Sequence, residues 1–283
     1  MATCIFCMEN PAKLTGEHVY AKWLRHFLPP QPKRHQHRVV QTRFNGDAVE
    51  RKVVQEYIVK RTKIDVKLPI VCQHCNNGWM SRLQTAVQQI ITPMIKGDSK
   101  TLDKRSCEIL TSWVVMSAMV AEFAAPQALS ILQSDRTLLF DCRDGRAELV
   151  LANWTIALSR YVGNELDNPH HFHYRNWLSP KTHSQAQTFR LGELVVLAHS
   201  GVEQLPGLPE LLARAPHQVA LVQVYPVPER CVWPPEVWAH DLLMEDIVFR
   251  VRKALAQGVR EGHAGIVAAS ENIAKFGSFG QTQ

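Results

Sequence analysis

Two Cys-x-x-Cys pairs, Cys4-Ile5-Phe6-Cys7 and Cys72-Gln73-His74-Cys75, constrain this chain more than any other feature of its sequence. Each pair forms a knuckle that presents two sulfurs to one ion, so the two together supply the four thiolates of a closed tetrahedral zinc site. The knuckles are separated by 64 residues, far more than in a compact zinc ribbon. Something sizeable is therefore inserted between them.

The remaining cysteines, Cys107, Cys142 and Cys231, stand singly and read as core residues. An odd total of seven, four of them clustered, argues against a disulfide framework and for a reducing, cytoplasmic setting. The N-terminal segment lacks the pattern of a secretory signal. The longest apolar stretch, Ile109 to Ala121, carries Thr111, Ser112 and Ser117, is too short to span a bilayer, and reads as a buried helix. No membrane association is expected.

Charge is distributed unevenly. Up to Lys100 there are 16 Lys and Arg against 7 Asp and Glu, a net of +9, while the whole chain carries only +6. The basic part is also the part with the paired cysteines, which is the electrostatic footprint of a module that sits on phosphates. Lys13, Lys22, Arg25, Lys33, Arg34, Arg38, Arg43, Arg51 and Lys52 crowd it.

The pattern predicts an α+β protein. A short apolar helix begins near Tyr20 and ends at the Pro29-Pro30-Gln31-Pro32 cluster. Strands follow over Arg38 to Phe44 and Val53 to Val59, around an Asn45-Gly46-Asp47 turn. Leu83, Val87, Ile90, Ile91 and Met94 recur at steps of three and four, marking an amphipathic helix that Gly97 stops near Lys96. A second helix, apolar on nearly every face, runs from an N-cap at about Ser106 to Ala125. Pro126 breaks it, and a short third helix is expected beyond. From about Glu148, β-type runs at Leu149 to Val162, Thr188 to His199 and Gln218 to Tyr225 predict an antiparallel sheet, with a last helix over Trp238 to Gln257 packed on it. The expected division is a module over 1–98, an α+β domain over 99–257, and a loosely ordered tail over 258–283.

Ten residues after Cys7 stands Glu17-His18, and directly after Cys75 stands Asn76. Cys4-Ile5-Phe6-Cys7, Glu17-His18-Val19 and Val71-Cys72-Gln73-His74-Cys75-Asn76 together resemble, in order, the zinc-containing members of the HNH endonuclease superfamily, such as those similar to the phage resolvase-type endonuclease VII. The resemblance covers about residues 1–96. It implies a ββα-metal module in which Cys4, Cys7, Cys72 and Cys75 hold a structural zinc. In such a module Glu17 and Asn76 hold a catalytic Mg²⁺ or Mn²⁺, and His18 is the general base.

Each residue type suits its role. A carboxylate and an amide oxygen are hard ligands for Mg²⁺, which keeps several waters and shares its shell with phosphate oxygens. A neutral imidazole accepts a proton from water at physiological pH. The implied activity is hydrolysis of phosphodiester bonds in double-stranded DNA with little sequence preference, in a restriction, phage-defence or mobile-element setting. Two positions depart from the commonest pattern: Glu17 stands where Asp is usual, and Lys67 stands where many members have an Asn that orients the His. Asn45 is a candidate for that orienting role.

Plainer readings of the same residues stay open. Four cysteines can hold zinc in a module that binds nucleic acid or a protein partner without cutting. Glu17 and Asn76 could each serve as a helix cap, and Trp79 and Met80 read as packing residues. His35 and His37, in a basic run, suit phosphate contact. His170, His171 and His173 have no carboxylate or cysteine beside them and are not assigned a metal. The second half carries no recognisable motif, and a partner or ligand for it is open.

Overall fold

In the computed structural model, the described residues are 3–9, 13–28, 35–45, 48–60, 65–124, 129, 131–143, 153–163, 170–176, 183–201, 221–228, 231–235 and 265–273. Three antiparallel sheets and a small helical layer make up this part of the chain, a mixed α+β architecture as the sequence predicts. Strand β1 (Thr15–His18) pairs with β4 (Lys67–Val71) in a two-stranded ribbon. Between them in sequence lie a 3-10 turn, Lys22–His26, and a long hairpin of β2 (His35–Asn45) and β3 (Ala48–Val59). The apolar helix expected from Tyr20 is thus reduced to a single tight turn with Leu24 buried.

The second knuckle starts a helical run in three pieces. A single turn, α1 (Gln73–Cys75), leads into a wide turn over Asn76–Met80, and helix α2 (Ser81–Ile95) follows. Val87, Ile90, Ile91 and Met94 of α2 are buried, as their spacing predicts. Gly97, at φ +88, ends the helix.

Short strand β5 (Lys100–Leu102) then precedes α3 (Lys104–Ala121). The N-cap of α3 is Asp103 rather than Ser106. Asp103 accepts from the Ser106 N–H at 2.7 Å, so the two residues take opposite ends of one capping bond. Ten residues of α3 are buried, among them Trp113, Val114, Val115 and Met119, which explains why it is apolar on nearly all faces. With the turn after it, α3 has the length and composition to cross a membrane, yet 61% of its most apolar window is buried inside the protein. Helix α4 (Gln133–Asp141) follows after the break.

The main sheet has eight strands in the order β10-β6-β9-β8-β7-β12-β2-β3. Its members from the second half are β6 (Trp154–Arg160), β7 (His170–Asn176), β8 (His183–Leu191), β9 (Leu194–Gly201), β10 (Val222–Tyr225) and β12 (Gly265–Ile273). The β-type run over Thr188 to His199 falls across a hairpin. Gly192, at φ +58, turns the chain between β8 and β9, and a Cβ there would stand 2.5 Å from the Ile95 carbonyl oxygen. A last short strand, β11 (Cys231–Trp233), pairs with β5.

The expected division at residue 98 is crossed twice. The hairpin β2–β3, inserted between the knuckles, pairs through β12 with β7 of the second half. One continuous hydrophobic core runs from Cys4 and Phe6 through α2 and α3 to Trp154, Val196 and Trp233. Strand β12 also occupies part of the 258–283 stretch expected as a tail. The helix expected over 238–257, the rest of that tail and the Gly46-Asp47 turn lie outside the described residues.

Candidate metal centre and acid–histidine strand

Cys4, Cys7, Cys72 and Cys75 meet as the two pairs predict. Their sulfur atoms all lie within 4.8 Å of one another, with Cys7 Sγ and Cys72 Sγ at 3.6 Å. A tetrahedral zinc with Zn–S bonds of about 2.3 Å needs sulfurs about 3.8 Å apart, so the four thiols fit one such ion with slight contraction. Three of the four are buried.

Both knuckles are built by the backbone. Met8 N–H donates to the Cys4 carbonyl at 3.1 Å, and Met8 takes φ +60 to close the first turn. In the second, Cys72 is the N-cap, its sulfur accepting from the Cys75 N–H at 3.4 Å. Ile5 N–H donates to the Ile70 carbonyl at 3.1 Å, which lays the first knuckle beside β4. Gln133 of α4 donates its Nε2 to the Ile5 carbonyl at 2.7 Å and holds the first knuckle from the far side.

The thiols themselves are tuned unequally. A hydrogen bond from Cys75 draws Cys4 down to about 4, while burial pushes Cys7 up to about 11. The same bond holds the Cys75 proton and raises its pKa. An incoming cation would displace the protons held in the cluster.

Glu17 and His18 are neighbours on β1, so the pleat sends them to opposite faces. Glu17 is 4% exposed, and its Oε1 accepts from Gln84 Nε2 of α2 at 3.0 Å. Burial pushes its carboxyl up to about 7, with the Gln84 bond pulling the other way. His18 is half-buried on the outer face, and its direct partner across the ribbon is Lys67. Asn45, the candidate for orienting His18, sits at the end of β2 opposite Ala48 in the hairpin.

Asn76 reaches back to β1. Its Nδ2 donates to Thr15 Oγ1 at 3.0 Å, and Thr15 in turn donates to the Val71 carbonyl at 3.0 Å. The bond uses the amide nitrogen and leaves the carbonyl oxygen, the hard donor, out of it. Asn76 opens the wide turn that ends in α2, where Gly78 departs from helical backbone at φ −90, ψ −111. Wide turns of this kind recur at functional sites because they re-aim side chains within a helix. Trp79 packs edge-on against Phe6 at 5.1 Å, and Met80 is fully buried; both are packing residues.

The structure therefore assembles the four cysteines, ties Asn76 to the β1 strand and ties Glu17 to α2. Two residues absent from the sequence-based set, Thr15 and Gln84, make those ties. Gln84 had a signal: it lies on the same helical stripe as Val87 and Ile91, where a polar residue is out of place. The histidine runs lie on strands of the main sheet, His35 and His37 on β2 and His170, His171 and His173 on β7. Comparison of the chain with models of protein families, with curated proteins and with solved structures found no match.

Proposed function

We propose that this protein is a metal-dependent HNH-type endonuclease that hydrolyses phosphodiester bonds of DNA. The observation that carries the reading is the antiparallel pair of the acid–histidine strand with the strand leading into the second knuckle. The residue after that knuckle, Asn76, bonds back to the first strand. Two strands, a helix and a four-thiol staple are the order the resemblance implies.

In this reading the thiols of Cys4, Cys7, Cys72 and Cys75 hold zinc in a closed site that braces the fold. Glu17 and Asn76 offer a carboxylate and an amide oxygen to Mg²⁺ or Mn²⁺, which when bound supplies positive charge to stabilise the leaving oxygen. Gln84 fixes one oxygen of Glu17 by its hydrogen bond and leaves the other for the ion. His18 takes the proton of the attacking water as the water oxygen bonds to phosphorus and the 3′ oxygen departs. The basic excess of the first hundred residues supplies the non-specific attraction to phosphates.

A second reading has its own observation. Glu17 is almost wholly buried and already bonded to Gln84, which also suits a structural carboxyl in a zinc module that binds nucleic acid or protein without cutting. Nicking of supercoiled plasmid by zinc-loaded protein separates the two. The nuclease reading expects cutting with Mg²⁺ or Mn²⁺, none with EDTA, and a loss of 10²-fold or more, roughly, in His18→Ala at unchanged zinc content. Wild-type protein that binds DNA but never nicks it would leave the binding module.

A further inference from the structure

His18 and Lys67 are direct partners across the β1–β4 ribbon. The rung beyond them is hydrogen-bonded, Val19 N–H to the Val66 carbonyl at 3.1 Å. In an antiparallel pair the bonded and non-bonded rungs alternate, so His18 and Lys67 occupy a non-bonded rung, where facing side chains stand closest, about 4.5 Å between Cα atoms. The next rung of that kind pairs Gly16 with Pro69, a position where proline forfeits no ladder bond.

One face of the ribbon therefore carries His18, Lys67, Gly16 and Pro69, the last three exposed and His18 half-buried, while Glu17 on the other face is buried. Gly16 has no side chain to compete for this face, and the stem of Lys67 lies across it. A Cβ built on Gly16 would stand 3.4 Å from Lys67 Cβ and 3.5 Å from Cδ. Among the described residues Lys67 has no ion-pair partner, whereas Arg25 nearby in sequence to β1 is engaged by Asp65 at 3.1 Å. An exposed cation whose charge is not spent, held directly across from a histidine, is the arrangement that receives an anion next to a proton acceptor.

We propose that Lys67 contacts the phosphate that His18 acts on, holding a non-bridging oxygen as the water proton passes to the imidazole. The proposal rests on the nuclease reading for the role of His18, but not for the phosphate contact itself. It also gives a physical sense to a lysine at this position, since an ammonium has no acceptor with which to orient an imidazole N–H. The role of Lys67 is toward substrate.

The test uses full-length zinc-loaded protein and two readouts. Binding of a labelled duplex without added Mg²⁺ or Mn²⁺ is followed against salt for wild type, Lys67→Met, Lys67→Arg and, as a control of equal charge change elsewhere, Lys104→Met. Losing one phosphate contact lowers the slope of log K against log salt by about 0.9. We expect that drop in Lys67→Met, most of the wild-type slope in Lys67→Arg, and the wild-type slope in Lys104→Met. Plasmid nicking by Lys67→Met should slow on the order of 10²-fold and recover in Lys67→Arg. An unchanged slope in Lys67→Met, an equal drop in Lys104→Met, or no duplex binding by wild type would each overturn the proposal. The drop in Lys67→Met, together with a wild type that binds the duplex but does not nick plasmid, would keep the contact and discard the nuclease reading.

Discussion

Gln84 Nε2 donates to Glu17 Oε1 at 3.0 Å, joining the buried stripe of α2 to the middle of β1. Glu17 is 4% exposed, so this bond satisfies a carboxyl that water scarcely reaches. Gln84→Ala should cost about 1–3 kcal/mol of stability by orphaning a buried acceptor. Gln84→Glu should cost more, since it brings a second carboxyl to the first. Urea unfolding without added divalent ions checks both, and a midpoint unchanged in Gln84→Ala would mean that the bond is not kept in solution.

The zinc staple predicts a coupled loss of metal and fold. Cys72→Ser removes a thiolate that also caps the second knuckle. Zinc content measured by elemental analysis should fall from one ion per chain towards none, with a drop of several kcal/mol in stability, roughly, because metal binding and folding of such a site are one process. Cys142→Ser, outside the cluster, should keep its zinc.

Glu122 and Arg136 form a buried ion pair, with side chains 0% and 5% exposed. Glu122 also accepts from the Ile131 N–H at 3.2 Å, and Arg136 donates to Gln133 Oε1 at 3.4 Å, next to the bond that Gln133 makes to the first knuckle. Arg136→Met should destabilise by about 3–5 kcal/mol, because it strands a buried carboxylate. Replacing both partners, with Glu122→Leu added, should recover much of that loss. Chemical denaturation of the two single and the double variants reads the coupling directly.

His199, on β9, is 1% exposed, and burial pushes its pKa down to about 4 from 6.5. Between these values the unfolded chain binds a proton that the folded chain does not, so stability falls as pH falls. The contribution is fully present above about pH 6.5 and is lost down to about pH 4, roughly 3 kcal/mol in all. The difference in stability between wild type and His199→Phe, measured from pH 7.5 to 4, should shift in favour of the variant across that window. A constant difference would show that His199 titrates normally.

Much of the local structure was legible. The apolar stripe of α2, the all-round apolarity of α3, the β-type runs of the second half and the meeting of the four cysteines follow from spacing alone. The reading failed where a turn or a cap is decided by few residues. Asp103 took the cap expected of Ser106, and Gly192 places a turn inside the β-type run over Thr188 to His199. Cys107 and Cys231, which stand singly in sequence, share a thiol hydrogen bond because β11 pairs with the strand just before α3.

The sequence by itself determined that four thiols would converge, that an asparagine would follow the second pair directly, and that helices and antiparallel strands would both be present. Periodicity and side-chain chemistry are local properties, and they report which residues seek burial or a ligand. Only the tertiary structure decided that the insertion between the knuckles joins the sheet of the second half. It alone set Gln84 on Glu17 and Lys67 across from His18. Which strand pairs with which, and in what register, is fixed by contacts between distant segments, and a one-residue slip would exchange the two faces of β1.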